Sequence, residues 1–217
     1  MAGSFFAPLI APMRPHAVFG SGDAPIRPIA ASGGVLLWTL ASAALMIPFI
    51  RAQIDSAPIP PIEPETLSRI LWFNIGALAP IGALLYVALV ACALWTIPAF
   101  VGYDTRFKRC FFIAAGASGV DVMRRLLVVG ILWLREWTGL VDPSYQVRVG
   151  FDAFVGDPSA LLGVIARHLG VFDVWSIALA TVGLMTLERL PRRLAILTSC
   201  ATVLFFEGVV IGLELLR

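Results

Sequence analysis

Charge is scarce in this sequence. Only 14% of its 217 residues are Asp, Glu, Lys or Arg, whereas 59% are hydrophobic and the mean hydropathy is +0.89. A soluble domain of this length could not bury so many apolar side chains, so the bilayer is expected to be the main solvent. The formal net charge is only +2, and no Lys/Arg run alternates with aromatic residues, which argues against a nucleic-acid partner.

Residue types that carry chemistry are also rare. The cysteines, Cys92, Cys110 and Cys200, stand far apart without CxxC spacing and are interpreted as buried thiols. The histidines, His16 and His168, lie outside the apolar runs, so we interpret them as surface residues rather than tetrapyrrole ligands. No GxxxxGK[ST], HExxH or GxSxG motif occurs. We therefore expect a non-enzymatic chain without a metal or cofactor, to which lipids can bind.

Long apolar segments dominate what is present. About 20 apolar residues in a helix cross ~30 Å of hydrocarbon, because each residue adds ~1.5 Å. Five segments predict an all-α fold, a polytopic membrane helix bundle of about five transmembrane helices. The predicted spans cover residues 30–50, 73–97, 111–134, 171–187 and 194–213, within a membrane domain over residues 30–217 that follows a Pro/Gly-rich cytoplasmic tail over residues 1–29.

Two connections between spans have distinct patterns. Residues 51–69 carry four prolines and three acidic residues, which predicts an extended aqueous loop. Farther along, Asp157 and Pro158 can start a helix with one apolar stripe that ends at Gly170. Residues 158–169 are therefore predicted to form an amphipathic helix along the membrane surface.

Short basic connections indicate the orientation. The segments 105–109 (TRFKR) and 188–193 (ERLPRR) each carry three basic residues, and a five-span topology puts both on the side of the N-terminal tail. Because Lys and Arg favour cytoplasmic loops, the N-terminus is predicted to be cytoplasmic and the C-terminus to lie across the membrane. The expected membrane is the bacterial inner membrane.

The third span is the least apolar, because it contains Asp121, Arg124 and Arg125. Its apolar residues favour insertion by roughly 4 to 7 kcal/mol, whereas three central charges oppose it by roughly 7 to 10 kcal/mol. Two solutions are open. Either neighbouring helices shield and neutralise the polar face, or the helix breaks and lies partly in the membrane interface near Gly116 and Gly119.

These intramembrane charges are the candidate site. The spacing of i, i+3 and i+4 puts Asp121 beside Arg124 and Arg125 on one helix face. The cluster can mark an ion or anion path, but a neutralising salt bridge, or docking of a lipid phosphate or a partner helix, is favoured. Glu207 in the fifth span can bind a proton or hydrogen-bond a neighbouring helix, and no second acidic residue for a relay is visible in a facing span. Small residues that allow close helix approach are Gly116, Gly119, and the GxxxG pair Gly208 and Gly212.

Two stretches resemble the Yip1 family of five-span membrane proteins. These are VGYDTRFKRCFFIAAGASGV (101–120) and LGVFDVWSIALATVGL (169–184). The second is more specific, since the family often shows an aspartate, an aromatic residue and a Trp-Ser pair before a span that ends in Gly-Leu. The matching residues are Phe172, Asp173, Trp175, Ser176, Gly183 and Leu184.

This resemblance covers about residues 30–213, and it departs from the family at the Arg124–Arg125 pair and at Glu207. It implies a five-span fold with a cytoplasmic N-terminus. Eukaryotic members act as binding partners in vesicle traffic, whereas bacterial members mostly lack an assigned role, so the resemblance implies more about fold than about function.

Two functions fit these observations. The first is a non-catalytic accessory or scaffold subunit that docks through helix faces and its tail to other integral membrane proteins of a larger assembly, such as a photosynthetic or respiratory complex. The second is a small ion or solute transporter or channel that uses Asp121, Arg124, Arg125 and Glu207.

Overall fold

The described secondary structure is entirely helical. The computed structural model describes residues 11, 18–19, 28–56, 63–137, 147, 165–166 and 168–216. Its elements are α1 (Pro28–Ser56), α2 (Pro64–Phe73), a π-helical turn (Asn74–Leu78), α3 (Ala79–Phe100), α4 (Phe107–Ala117), α5 (Gly119–Trp137), α6 (Val171–Leu187) and α7 (Arg192–Leu215). The predicted all-α bundle is confirmed.

Three helical runs are long and apolar enough to cross a membrane. They are Ala30–Ala52, the continuous run Glu65–Phe100, and Arg192–Leu215, and no more than 28% of the most apolar part of each is buried inside the chain. Helix α6 is a shorter apolar helix of 17 residues, whose bounds coincide with the predicted span 171–187. The chain is therefore a membrane protein, and its outward apolar side chains suit contact with lipid.

The predicted loop 51–69 is helical at both ends. Helix α1 continues to Ser56, and α2 begins at Pro64, where proline is tolerated because the first turn leaves its N–H groups unpaired. Arg51 Nη2 donates to Ser68 Oγ at 3.4 Å, so the two helix ends lie side by side. The prediction of an extended loop is wrong for residues 51–56 and 64–69, and residues 57–62 lie outside the described residues.

The third predicted span is broken at Ser118, between α4 and α5. Ser118 closes α4 with hydrogen bonds from its N–H to Ala114 O (2.9 Å) and from its Oγ to Ala115 O (2.8 Å). Its own carbonyl then accepts the Asp121 N–H at 3.1 Å, which starts α5. The break that was one of the two predicted solutions is confirmed.

Helix α4 lies at the centre of the bundle and contacts α1, α3 and α6. Residues 112–117 of this helix are all buried. Gly183 of α6 faces Ile113, and a Cβ at Gly183 would lie 2.8 Å from both Ile113 Cγ1 and Ile113 Cγ2. Glycine at position 183 therefore lets the two helix backbones approach closely.

Two residues of the predicted cytoplasmic tail belong to this core. Ala11 and Phe19 are both fully buried, and the Phe19 ring makes an edge contact with Phe112 at a centroid distance of 6.0 Å. The sequence pattern did not predict this packing, because a proline-rich segment without a long apolar run carries no periodic signal. The remainder of the tail before Pro28, apart from Val18, is outside the described residues.

The two basic connections meet at one end of the bundle. The Arg106 N–H donates to Glu188 Oε2 at 3.2 Å, and Arg109 Nη1 donates to the Leu187 carbonyl at 2.7 Å. Both connections therefore lie on the same side, as predicted. Of the predicted surface helix at 158–169, residues 165, 166 and 168 are helical, and most of the rest falls outside the described residues.

Candidate functional site

The four charged residues predicted inside the spans line a single cavity. Its volume is about 580 Å³, and Asp121, Arg124 and Arg125 from α5 face Glu207 from α7 across it. Tyr86 of α3 and Ser42 of α1 add hydroxyl groups, while apolar side chains, among them Met46, Ile50 and Val128, cover much of the remaining wall. The tertiary fold therefore joins charges that are more than 80 positions apart in the sequence.

The break at Ser118 decides where the charges of α5 lie. Asp121 occupies the first turn of α5, and the two arginines follow one turn later on the same side. Asp121 and Arg124 are half-buried, Arg125 is exposed, and the Glu207 side chain is 20% exposed. The acidic residue near a helix N-terminus also complements the helix dipole.

The neutralising salt bridge, one of the structural alternatives for the α5 charges, is not formed as a direct pair. Within the described part of the chain, Asp121 has no ion pair within 4.0 Å to Arg124 or to Arg125. Both guanidinium groups still interact electrostatically with the Asp121 carboxylate at longer range. The charges of α5 are thus turned toward the cavity rather than consumed in a pair with each other.

His168 was interpreted as a surface residue, and this interpretation is wrong. Its side chain is only 19% exposed and lies between two carboxylates of α7. The distance from His168 Nδ1 to Glu207 Oε2 is 3.6 Å, and the distance from Nε2 to Glu214 Oε2 is 2.5 Å. Glu207 is therefore connected through His168 to a second acidic residue, Glu214 of the same helix, which the sequence analysis did not predict.

A weak signal for this triad exists in the sequence. Glu207 and Glu214 are seven positions apart, which is two helical turns, so they lie on one face of α7. Nothing in the sequence places His168 against that face, because it follows a connection of about 30 residues after α5. Only the packing of residue 168 before α6 brings the imidazole to α7.

The triad is not arranged around one metal ion. The two carboxylates approach opposite nitrogens of the imidazole ring, so their oxygens do not converge on a common point. Among the residues described by the structure, no group of three or more His, Cys, Asp or Glu side chains is placed to hold a metal. The expected absence of cofactors stays a prediction.

Two smaller cavities adjoin the same polar residues. One, of about 390 Å³, is lined by Thr39, Tyr86, Asp121 and Arg125. The other, of about 30 Å³, lies between Tyr86, Asp121 and the buried Ser199, whose Oγ has no hydrogen-bond partner among the described residues. Tyr86 and Asp121 therefore line all three cavities.

The predicted helix-packing glycines divide into two groups. Gly116 and Gly119 are buried, and a Cβ at Gly116 would lie 2.7 Å from Phe19 Cζ, so a small residue is needed there. A Cβ at Gly208 or Gly212 would meet no atom within 4 Å among the described residues. Gly208 and Gly212 of α7 therefore face away from the other helices that the structure describes.

Glu188 is the charged residue that joins the two basic connections. Partial burial raises the pKa of its carboxyl above the ordinary value of 4.5, although the Arg106 N–H and the charges of Arg109 and Arg106 act in the opposite direction. The Glu188 carboxylate thus holds this end of the molecule together among exposed basic residues. One of these is Arg189, which lies in the turn between α6 and α7 and has a positive φ of 56°.

No protein-family model, curated protein or solved structure matches the chain. The Yip1 resemblance, the bacterial inner-membrane location and the absence of enzymatic activity stay predictions.

Proposed function

We propose that this chain is a membrane transporter that binds a small zwitterionic solute in the cavity between α5 and α7. The observation that carries the proposal is the convergence of Asp121, Arg124, Arg125 and Glu207 on one cavity of about 580 Å³. Cavities that bind small molecules have volumes of about 300 to 1,000 Å³, so the space suits a solute of metabolite size.

The chemistry of the lining favours a solute that carries both signs of charge. Two guanidinium groups and two carboxylates give the cavity a balanced formal charge, while Met46 and Ile50 supply apolar surface. Arginine binds a solute carboxylate through paired hydrogen bonds, and Asp121 or Glu207 can accept hydrogen bonds from an ammonium group. An amino acid with an aliphatic side chain combines all three features.

The energetics of the membrane support the same interpretation. A charged side chain in the hydrocarbon region costs up to about 2.5 to 3.5 kcal/mol on insertion scales, so such residues occur mainly where they face a cavity or a partner. In the described structure the α5 charges form no direct pair that would offset this cost. A polar path through the bundle accounts for charges that a purely structural helix would not need.

Binding of radiolabelled leucine to the purified protein in nanodiscs tests the proposal. We expect saturable binding that is roughly 10- to 100-fold weaker in R124Q, because a charged hydrogen bond contributes about 1.5 to 3 kcal/mol. The single-charge analogues 4-methylpentanoate and 3-methylbutylamine should compete poorly. In proteoliposomes, the wild-type protein should also carry leucine across the bilayer.

The matched control is R69Q. Arg69 is an exposed arginine of α2 that pairs with Glu65 at 2.6 Å, away from the cavity, so leucine binding should be unchanged. If leucine, phenylalanine and glycine betaine all fail to bind saturably, or if R69Q and R124Q weaken binding equally, the proposal is wrong.

A second candidate function is an accessory subunit of a larger membrane assembly. One observation favours it: a Cβ at Gly208 or Gly212 of α7 would meet no atom within 4 Å among the described residues, so no described helix packs against these glycines. Two exposed glycines four positions apart permit close approach of a partner helix. Under this proposal, gentle detergent extraction and native mass measurement recover a hetero-complex that dissociates in G212I. A monomeric mass for both wild type and G212I would contradict it.

A further inference from the structure

We infer that Glu214, His168 and Glu207 form a proton relay that connects one membrane face to the cavity, so that the proton is the coupling ion of transport. The inference rests on the proposed function for its biological purpose. Its test is independent, because proton movement can be measured without any solute.

The three side chains form a continuous series along α7. Glu214 lies in the last turn of the helix, where its side chain is 34% exposed, and Glu207 lies two turns earlier in the cavity wall. Two turns separate the carboxylates by about 10.5 Å along the helix axis, too far for direct proton transfer. The His168 ring occupies this gap, with one nitrogen toward each carboxylate.

Imidazole is suited to this position because it can accept a proton on one nitrogen and release another from the second. A protonated Glu214 donates its proton to His168 Nε2 across 2.5 Å. The resulting imidazolium releases the proton on Nδ1 to the Glu207 carboxylate. Glu214 ends as a carboxylate, Glu207 ends as a carboxylic acid, and His168 ends as the neutral tautomer protonated on Nε2, so the transfer balances.

The two halves of the relay differ in distance. The contact to Glu214 is a short hydrogen bond, whereas 3.6 Å between Nδ1 and Glu207 Oε2 exceeds hydrogen-bond length. A small side-chain rotation of Glu207 is therefore needed for the second transfer. Because Glu207 also lines the cavity, a bound solute can alter that rotation and so couple proton arrival to solute occupancy.

Charged and titratable groups of three other described helices interact electrostatically with Glu207. Asp121 and Arg124 interact with it from α5, Asp173 from α6 and Tyr86 from α3, in addition to His168. A proton that reaches Glu207 changes the cavity charge from balanced to positive by one. This change weakens the binding of the solute's ammonium group and provides the coupling.

The relay opens at the face opposite the basic connections. Helix α7 begins beside Glu188 and the Arg106 connection and ends at Leu215. With the orientation expected from the basic connections, Glu214 faces the extracytoplasmic side. Protons would then enter the relay from the side where the proton-motive force places them in excess.

Proton flux into proteoliposomes that contain a pH-sensitive dye tests the relay. A potassium diffusion potential set with valinomycin drives protons through the solute-free protein, because a cavity that opens to each face in turn also carries a proton when it is empty. We expect measurable proton flux in the wild-type protein. The rate of this flux should be at least about tenfold lower in both H168A and E214Q. The control E65Q changes an exposed glutamate of α2 that pairs with Arg69 and is not part of the relay, and it should behave as wild type.

Chemical rescue separates a relay from a structural role. Free imidazole in the buffer should restore flux in H168A, because it can occupy the space left by the side chain, and it should not restore flux in E214Q. Unchanged flux in H168A and E214Q would overturn the inference, as would a loss in H168A that imidazole does not reverse. Should H168A fail to fold, E214Q decides alone: reduced flux supports the relay and wild-type flux overturns it.

Failure of the relay and failure of solute transport give different results. Leucine binding with no proton flux in the wild-type protein overturns the relay and leaves the proposed function intact. Proton flux that depends on His168, without leucine binding, supports the relay and refutes the proposed substrate.

Discussion

The ring of Phe19 rests on Gly116, so closely that a Cβ at position 116 would lie 2.7 Å from Phe19 Cζ and 3.1 Å from Cε1. Phe19 belongs to the N-terminal segment before α1, and Gly116 lies near the end of α4. This contact anchors a segment without a predicted helix to the most buried helix of the bundle. It makes the stability of the membrane domain depend on residues that precede its first span.

The first prediction concerns this contact. G116A should lower the free energy of unfolding by about 1 to 3 kcal/mol, because a methyl group must displace the Phe19 ring. The cost should shrink in an F19A background, with a coupling energy of about 0.5 to 3 kcal/mol. Reversible unfolding of wild type, G116A, F19A and the double variant in detergent measures this coupling energy. G82A, where a Cβ meets nothing within 4 Å among the described residues, should be neutral or stabilising. Equal costs of G116A in both backgrounds would contradict the contact.

The second prediction concerns the approach of α6 to α4. In G183A the new methyl group meets both γ carbons of Ile113 at 2.8 Å, and these branch directly from the Ile113 Cβ, which lies at 3.3 Å. We expect about 1 to 3 kcal/mol of destabilisation from overpacking, partly reversed by I113A. G212A is the control, since the space around it is open among the described residues. If G183A and G212A have the same melting temperature, α6 and α4 can move apart without loss of stability, and the prediction is wrong.

The third prediction concerns Glu188 and pH. Because burial raises its pKa in the folded state, the folded protein binds more protons than the unfolded chain in the window above pH 4.5. Stability from this group is present below that window and is lost as pH rises through the raised pKa. E188Q should remove this part of the pH dependence while its amide oxygen still accepts from the Arg106 N–H. Melting temperatures in detergent from pH 4 to 7.5 test this, and parallel curves for wild type and E188Q would refute it.

The fourth prediction concerns the turn after α3. Trp95 Nε1 donates to the Thr105 carbonyl and Thr105 Oγ1 donates to the Trp95 carbonyl, both at 3.1 Å. T105V removes the second bond and should cost about 1 kcal/mol of unfolding free energy. T181V is the matched control, because the buried Thr181 Oγ1 has no hydrogen-bond partner among the described residues. T181V should be neutral or stabilising. A larger loss of unfolding free energy in T181V than in T105V would contradict the hydrogen bond from Thr105 Oγ1.

The fifth prediction concerns sidedness. Arg106 and Arg192 flank Glu188 at one end of the bundle, whereas Glu65 begins the continuous helix that ends near them at Phe100. Cysteines introduced at 106 and 192, in a chain whose native cysteines are replaced by serine, should react with an impermeant maleimide from the same side. A cysteine at 65 should react from the other side. Labelling of 106 and 192 from opposite sides would contradict the topology.

Local sequence information predicted the helices well. Hydropathy located α6 at its observed bounds, α7 within two residues, and α1 and α3 within six residues, because each span must satisfy its own backbone hydrogen bonds in lipid. The charge balance of the third span left a break near Gly116 and Gly119 as one of two alternatives, and the structure has the break. Helix α2 was missed, because prolines mark both extended segments and first helical turns, and only the surrounding fold distinguishes them.

Long-range partners could not be predicted in the same way. Asp121, Arg124, Arg125 and Glu207 were each identified as unusual, since a charge in an apolar run stands out by itself. Their convergence on one cavity, the place of His168 between Glu207 and Glu214, and the burial of Phe19 depend on how helices pack. Such packing is set by side-chain shape and close approach over the whole bundle rather than by any segment's composition.

The amino-acid sequence by itself thus determined that this protein resides in a membrane and which residues form most of its helices, because transfer into lipid and backbone hydrogen bonding are local properties of a segment. The tertiary structure alone decided which charges face one another and which histidine joins them, because a contact between distant residues exists only after the helices have packed.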